Sequence, residues 1–167
     1  EEKEASNKEN NKAQKSMNID QLRIELAEDE GCKYSIYLDS HGLETCGIGH
    51  LITVDDPEFG KPVGTDVSEE RVQSLFRRDV AVTLEDCKRL YKNFDELPEE
   101  VQLIVANMMF NMGLPRLSKF KGMKAGVDAK DWNKAADEMV DSNWFDQVPN
   151  RAKRLVARMR AVESDHG

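Results

Sequence analysis

Glu30 and Asp39 stand with eight residues between them, and Thr45 follows after five more, within the stretch EGCKYSIYLDSHGLETCGIGH at 30–50. Two carboxyl groups that flank a cleft are the equipment of glycoside hydrolysis. One protonates the leaving oxygen, and the other activates a water or attacks the sugar. Spacing alone is weak support for that chemistry, because the chain has 32 acids and a pair nine residues apart is more often two solvated surface groups. Thr45 by itself is more often an ordinary strand threonine. His50 resembles a general base, but a single histidine beside a strand end is more often structural, paired with a carboxylate such as Asp79.

The elements around these residues would position them as a site. An apolar helical run with Ile19, Leu22 and Leu26 on one stripe is capped by Asn18 and ends near Asp29, with Gly31 suited to the helix end. Tyr34, Ile36 and Leu38 alternate like one face of a strand, and Asp39, Ser40, His41 and Gly42 read as a turn. Residues 43–47 would then return antiparallel, bringing Thr45 level with Asp39 and leaving both to face the helix end. Gly47 and Gly49 are points where backbone or ligand can approach closely.

Residues 53–65 hold two prolines and two glycines and read as a loop over this small lobe. Ser68 then caps a helix whose stripe runs through Val72, Leu75, Phe76, Val80, Leu84, Cys87 and Tyr91, long enough to connect two lobes. The run LPEEVQLIVANMMFNMG is apolar nearly all round, with Pro98 expected at its first helical position and Gly113 at its end, which suits the central helix of a helical lobe. Its cluster Met108, Met109 and Met112 reads as core. Weaker helices are expected around 117–124, over 130–142 and after Pro149. Trp144 and Phe145 are either sugar-stacking aromatics or core, with core the default.

Length and composition set the outer bounds. The 167 residues suffice for one domain with a real core, with 39% apolar and 34% charged residues. Residues 1–17 lack the apolar side chains to offset their ordering entropy and read as a charged linker or frayed helix. The domain is expected over 18–163, with 164–167 as a tail. A net charge of −8 argues against a nucleic-acid partner, which calls for clustered Lys and Arg. The local exception is Arg151, Lys153, Arg154, Arg158 and Arg160. Cys32, Cys46 and Cys87 are an odd count without metal-ligand spacing, so partly buried free thiols are expected, with a Cys32–Cys46 bridge across the hairpin as the alternative. No cofactor or metal is called for. No apolar run is long enough for a membrane span, and the chain begins EEKEAS, as a fragment would.

The order of motifs resembles that of the phage-type lysozymes: Glu30, Asp39, Thr45 and GIGH at 47–50, then RRDV at 77–80, NMMFNMG at 107–113 and WFDQVPNRAKR at 144–154. The resemblance spans 18 to about 160. It implies an α+β, mainly helical fold with a small three-stranded β lobe and a larger helical lobe, joined by a long helix with the cleft between them. It further implies muramidase activity on peptidoglycan with inversion, which needs room for a water between carboxyls roughly 6.5–9.5 Å apart. Glu30 would be the general acid, Asp39 the carboxylate that acts on water, and Thr45 a residue that holds that water. Leu51 and Phe110 would touch substrate, His50 would pair with Asp79, and Arg151 would stand beside Glu30. His41 and Asn143 depart from the acid and arginine that can face each other across the cleft in soluble members.

The charged first segment and acidic balance are similar to the tail-associated branch of the family. That implies a virion location in a phage tail baseplate and action in the periplasm of a Gram-negative host. The neighbours would be other parts of a baseplate hub, trimeric in the full protein, and a periplasmic inhibitor is a further implied partner. Two readings compete: a catalytically weak or silent wall-binding tail module, and an inhibitor or scaffold that reuses the fold without a cleft.

Overall fold

The computed structural model describes residues 17–163. The expected linker and tail lie outside the described residues except for Met17, which is only 6% exposed and belongs to the core. The packed part therefore starts one residue earlier than composition suggested.

Helix α1, Ile19–Glu30, begins at Asn18, whose side chain accepts from the Gln21 backbone N–H, and stops at Gly31, where φ is 72°. Leu22 and Leu26 are buried, whereas Ile19 is largely exposed. A three-stranded antiparallel sheet follows in the order β1 (Lys33–Leu38), β2 (Glu44–Gly47), β3 (His50–Leu51). Its register pairs Tyr37 with Thr45 and Leu38 with Glu44. An irregularity between Lys33 and Tyr37 spoils the simple alternation. Only Ile36 of the expected apolar face is buried, and Tyr34 and Leu38 are exposed. The free edge of β1 is covered by the end of the 53–65 loop: Ile36 N–H donates to Thr65 O at 2.9 Å, and Gly64 N–H donates to Ile36 O at 2.8 Å.

The long helix α2, Glu69–Leu90, is capped by Ser68, has Glu69 and Glu70 in its first turn and Lys88 and Arg89 in its last, and so agrees with its dipole at both ends. After a 3₁₀ turn at Phe94–Glu96 comes α3, Glu99–Met112, with ten of its residues buried. Pro98 is the residue before this helix rather than its first, and Gly113 closes it with φ 80°. The rest of the helical lobe is α4 (Leu114–Leu117), α5 (Lys121–Asp128), α6 (Trp132–Val140), α7 (Asn143–Gln147) and α8 (Pro149–Arg160), of which α4 and α8 pack on α3, α6 and α7 pack on α8, and α5 packs on α6. The single helix expected around 117–124 is thus two. Ser142, expected inside a helix, instead caps the five-residue α7, accepting from Phe145 N–H at 3.2 Å. The result is the α+β, mainly helical arrangement: a small sheet and a larger helical lobe, with α2 running between them.

Candidate active site

The end of α1, the hairpin and the helical lobe enclose a cleft of about 580 Å³. Glu30, Asp39, Thr45, Leu51 and Phe110 all line it, with Tyr37, His41 and Gly49 on the sheet side and Asn111, Arg116, Trp144 and Gln147 on the helical side. A scaffold with no opening between its lobes is therefore not this molecule.

Glu30 is the last residue of α1, so its carboxyl leaves the helix at the cleft wall. Arg151 Nη1 donates to Glu30 Oε1 at 2.7 Å. Arg151 is itself only 7% exposed, on the first turn of α8, and its other nitrogens are occupied. Nε donates to Asn107 Oδ1 at 2.7 Å, and Nη2 donates to the Asn107 carbonyl at 3.3 Å. Asn107 in turn donates from Nδ2 to Asp29 at 2.9 Å. Glu30 Oε2 lies on the opposite side, against Gly49. A Cβ on that glycine would stand 2.6 Å from Oε2, so a hydrogen at this position is what leaves the carboxyl its space. Gly49 also has φ 62°, which side chains rarely adopt.

Asp39 opens the turn between β1 and β2. Its Oδ1 accepts from His41 N–H at 2.8 Å and Leu43 N–H at 2.9 Å, which fixes the carboxylate to the backbone that carries it. Among the described residues no protein donor reaches Oδ2. Thr45 is buried except at the cleft, and its hydroxyl donates to Leu43 O at 2.9 Å, leaving its lone pairs free. Tyr37 faces the same space. Burial, together with the nearby charges of Glu30 and Asp39, raises its phenol pKa. Leu51 is half exposed, and Phe110 packs edge-on against Phe76 with ring centres 6.0 Å apart. Trp144 is core rather than an open stacking platform: it is 2% exposed and its indole N–H donates to Asn111 Oδ1 at 2.8 Å.

His50 points away from the cleft acids into a second cluster. Nδ1 lies 2.7 Å from Asp79 Oδ2, and Nε2 lies 2.8 Å from Asp56 Oδ2. Burial opposes the charged ring, but the bonds and charges of Asp79 and Asp56 outweigh it, and the pKa is raised above 6.5. Asp56 is buried as well. Desolvation pushes its pKa up, yet the Thr53 N–H and His50 together hold it below 3.8. Arg71 completes the cluster, donating from Nε to Glu58 Oε1 at 2.8 Å and thereby lowering the Glu58 pKa.

Sequence reasoning missed Asn107, Tyr37, Asp56 and Glu58. For Asn107 a signal existed, since it is one of few polar residues in an apolar helix. Asp56 and Glu58 had none, because a loop rich in proline and glycine is expected to carry solvated acids. The three thiols are free. Cys32 is exposed, while burial lifts Cys46 to about 11 and Cys87 to about 12. No helix among the described residues is long and apolar enough to cross a membrane.

Two lobes with acids lining the open cleft between them are an arrangement suited to gripping and cleaving a chain-like substrate. The phage lysozyme family pattern matches residues 27–162, and the chain belongs to that family. Among similar proteins, "Probable T4-type lysozyme 2" of Dictyostelium discoideum is 32% identical over 158 residues, covering 83% of this chain and 93% of that protein. "Probable T4-type lysozyme 1" of the same organism is 30% identical with the same coverage. "Pre-baseplate central spike protein Gp5" of Enterobacteria phage T4 is 32% identical over 148 residues, which is 78% of this chain but only 26% of that longer protein.

Proposed function

We propose that the chain is a muramidase that hydrolyses the β-1,4 bond between N-acetylmuramic acid and N-acetylglucosamine by inverting single displacement. The observation that carries this reading is the convergence of Glu30, Asp39 and Thr45 on one cleft from a helix end, a turn tip and a returning strand. Glu30 gives its proton to the leaving glycosidic oxygen as the bond to the anomeric carbon breaks. A water on the opposite face of the sugar forms the new bond to that carbon and passes a proton to Asp39, with Thr45 holding the same water. Leu51 and Phe110 supply apolar contact for the sugar rings, and Arg151 fixes the Glu30 carboxyl. The catalytic domain is read as 17–163, one residue more than the sequence suggested.

The charge distribution supports the tail-associated reading. Four of the five C-terminal basic residues are used internally: Arg151 by Glu30, Arg154 by Asp29, Arg158 by Glu25 and Glu100, and Arg160 by Asp137. With a net charge of −8 the chain as a whole has little attraction for an anionic wall, so delivery by a baseplate hub takes the place of electrostatic capture. The enzyme would then act in the periplasm of a Gram-negative host, where an inhibitor protein would meet the cleft.

The test is hydrolysis of purified peptidoglycan followed by NMR of fresh product. The α-anomer is expected first. A β-anomer would return Asp39 to the role of nucleophile, and no hydrolysis at all would leave a wall-binding module.

A further inference from the structure

The Arg151 guanidinium lies between two adjacent acids, Asp29 and Glu30, and could serve either. Its Nε stands 3.6 Å from Asp29 Oδ2, which is too long for a hydrogen bond, although Asp29 is almost fully buried and beside it. Asn107 is what intervenes. Its Oδ1 takes Nε at 2.7 Å, its carbonyl takes Nη2 at 3.3 Å, and its Nδ2 gives Asp29 a different donor at 2.9 Å. The buried Asn107, 1% exposed, thus occupies two of the three nitrogens of the fork, Nε through its side chain and Nη2 through its backbone carbonyl, and its side chain satisfies the competing acid. Only Nη1 is left for Glu30, and it bonds Oε1 alone.

We propose that Asn107 is a positioning residue for the reaction: it keeps the contact between Arg151 and Glu30 single, so that Oε2 is the oxygen that carries and delivers the proton. A bidentate fork would fill both carboxyl oxygens and leave no site for a transferable proton. Two observations agree. Oε2 meets no donor among the described residues and is absent from the buried polar atoms that lack a partner, so it reaches the solvent of the cleft. It also faces the one position, Gly49, where a side chain would displace it. The inference rests on Glu30 acting as general acid.

Asn107→Leu keeps the approximate shape of the side chain but removes its acceptor for Nε and its donor to Asp29, leaving only the backbone carbonyl that meets Nη2. Asn107→Asp keeps the acceptor for Nε and removes the donor to Asp29. With purified peptidoglycan as substrate, Asn107→Leu should lower kcat about 30-fold with KM within about twofold of the parent, as expected for a misplaced reacting group. Asn107→Asp should keep at least about a third of the parent kcat while losing stability. The decisive arm is Arg151→Met. In that background Asn107→Leu should change kcat less than about twofold, because its effect passes through the arginine. Equal losses in Asn107→Leu and Asn107→Asp, or an undiminished loss in the Arg151→Met background, would overturn the proposal. Should Asn107→Leu fail to fold, Asn107→Ser takes its place in the same cycle with the same readings. An inactive parent, or an active Glu30→Gln, would refute the general-acid reading itself. An active parent with an inactive Glu30→Gln and an unchanged Asn107→Leu would refute this inference alone.

Discussion

Glu30 and His50 mark the two ends of the hairpin region, and each is held by charged partners, Glu30 by one 121 residues away and His50 by one six and one 29 residues away. Around His50 the bonding closes at the ring, at Asp56 and at Glu58, and Asp79 Oδ1, which has no protein partner among the described residues, does not line the cleft that holds Glu30. Both ring nitrogens are taken, Asp56 accepts from Thr53 and His50 and pairs with Arg71, and both oxygens of Glu58 meet Arg71. Around Glu30 it stays open at one atom. Asp29, Asn107, Arg151 and Oε1 are all engaged, and Oε2 faces the cleft. The residue types are nearly the same in both clusters. What separates them is a polar atom left without a protein partner where a substrate can reach it: a closed network holds loops together, whereas an open one has a valence to spend on chemistry.

The largest break in that comparison comes from removing the open atom's proton. Glu30→Gln is nearly isosteric and can still accept from Arg151, so it should lower wall hydrolysis by about a hundredfold or more while the melting temperature stays close to the parent's. Turbidity loss of purified wall and a thermal scan measure the two quantities. Residual activity above about a tenth of the parent would remove Glu30 from the role of acid.

A smaller break moves the open atom without changing its chemistry. Gly49→Ala puts a carbon where only 2.6 Å separates it from Oε2, at a backbone φ of 62°. Activity should fall on the order of tenfold through displacement of the carboxyl. Stability should fall by about 1–2 kcal/mol through the strained backbone. Gly42→Ala is the control, since it has φ 76° and open space around it. It should lose comparable stability and little activity, and equal activity losses in the two variants would assign the Gly49 effect to strain.

The contrast between the clusters also explains which parts of the molecule were readable in advance. The long helices were legible from their own sequences, α2 because burial of one apolar stripe decides it locally and α3 because it is apolar nearly all round and closes at Gly113. The alternation of Tyr34, Ile36 and Leu38 misled because the irregular register with β2 is a property of the pair of strands. Glu30, Asp39 and Thr45 lie within sixteen residues and fall on an easily read helix, turn and strand, so their meeting could be foreseen. Their support could not. Arg151 is 121 residues from Glu30, and Asn107 is 78 from Asp29; no local pattern encodes which helix faces deliver them. Arg151 came from motif order alone. Asp56 and Glu58 escaped entirely, since their burial depends on how the 53–65 loop folds back beneath Arg71.

The smallest expected effect tests the closed cluster, through the pH dependence of stability rather than through activity. His50 has a folded pKa above 6.5, so its contribution is full below that unfolded value and is lost as pH rises through the folded one. Asp56 and Glu58 have folded pKa values below 3.8 and 4.5, so their contributions are full above those unfolded values and are lost as pH falls through the folded ones. The two conditions overlap between about pH 5 and 6, where all three groups are charged in the folded protein and the cluster contributes most. His50→Asn retains shape and some hydrogen bonding but no charge, and should cost about 2 kcal/mol in that window. The difference from the parent should shrink on the alkaline side, as the parent's own histidine loses its proton, and on the acid side, as Asp56 gains one. Urea unfolding of both proteins across pH 3 to 9 gives the difference curve directly. Since the cluster contains no atom open to the cleft, kcat at saturating substrate should change less than about threefold wherever both proteins are folded. A sharp loss of activity near pH 6 with no loss of stability would move His50 out of the closed network and into the chemistry.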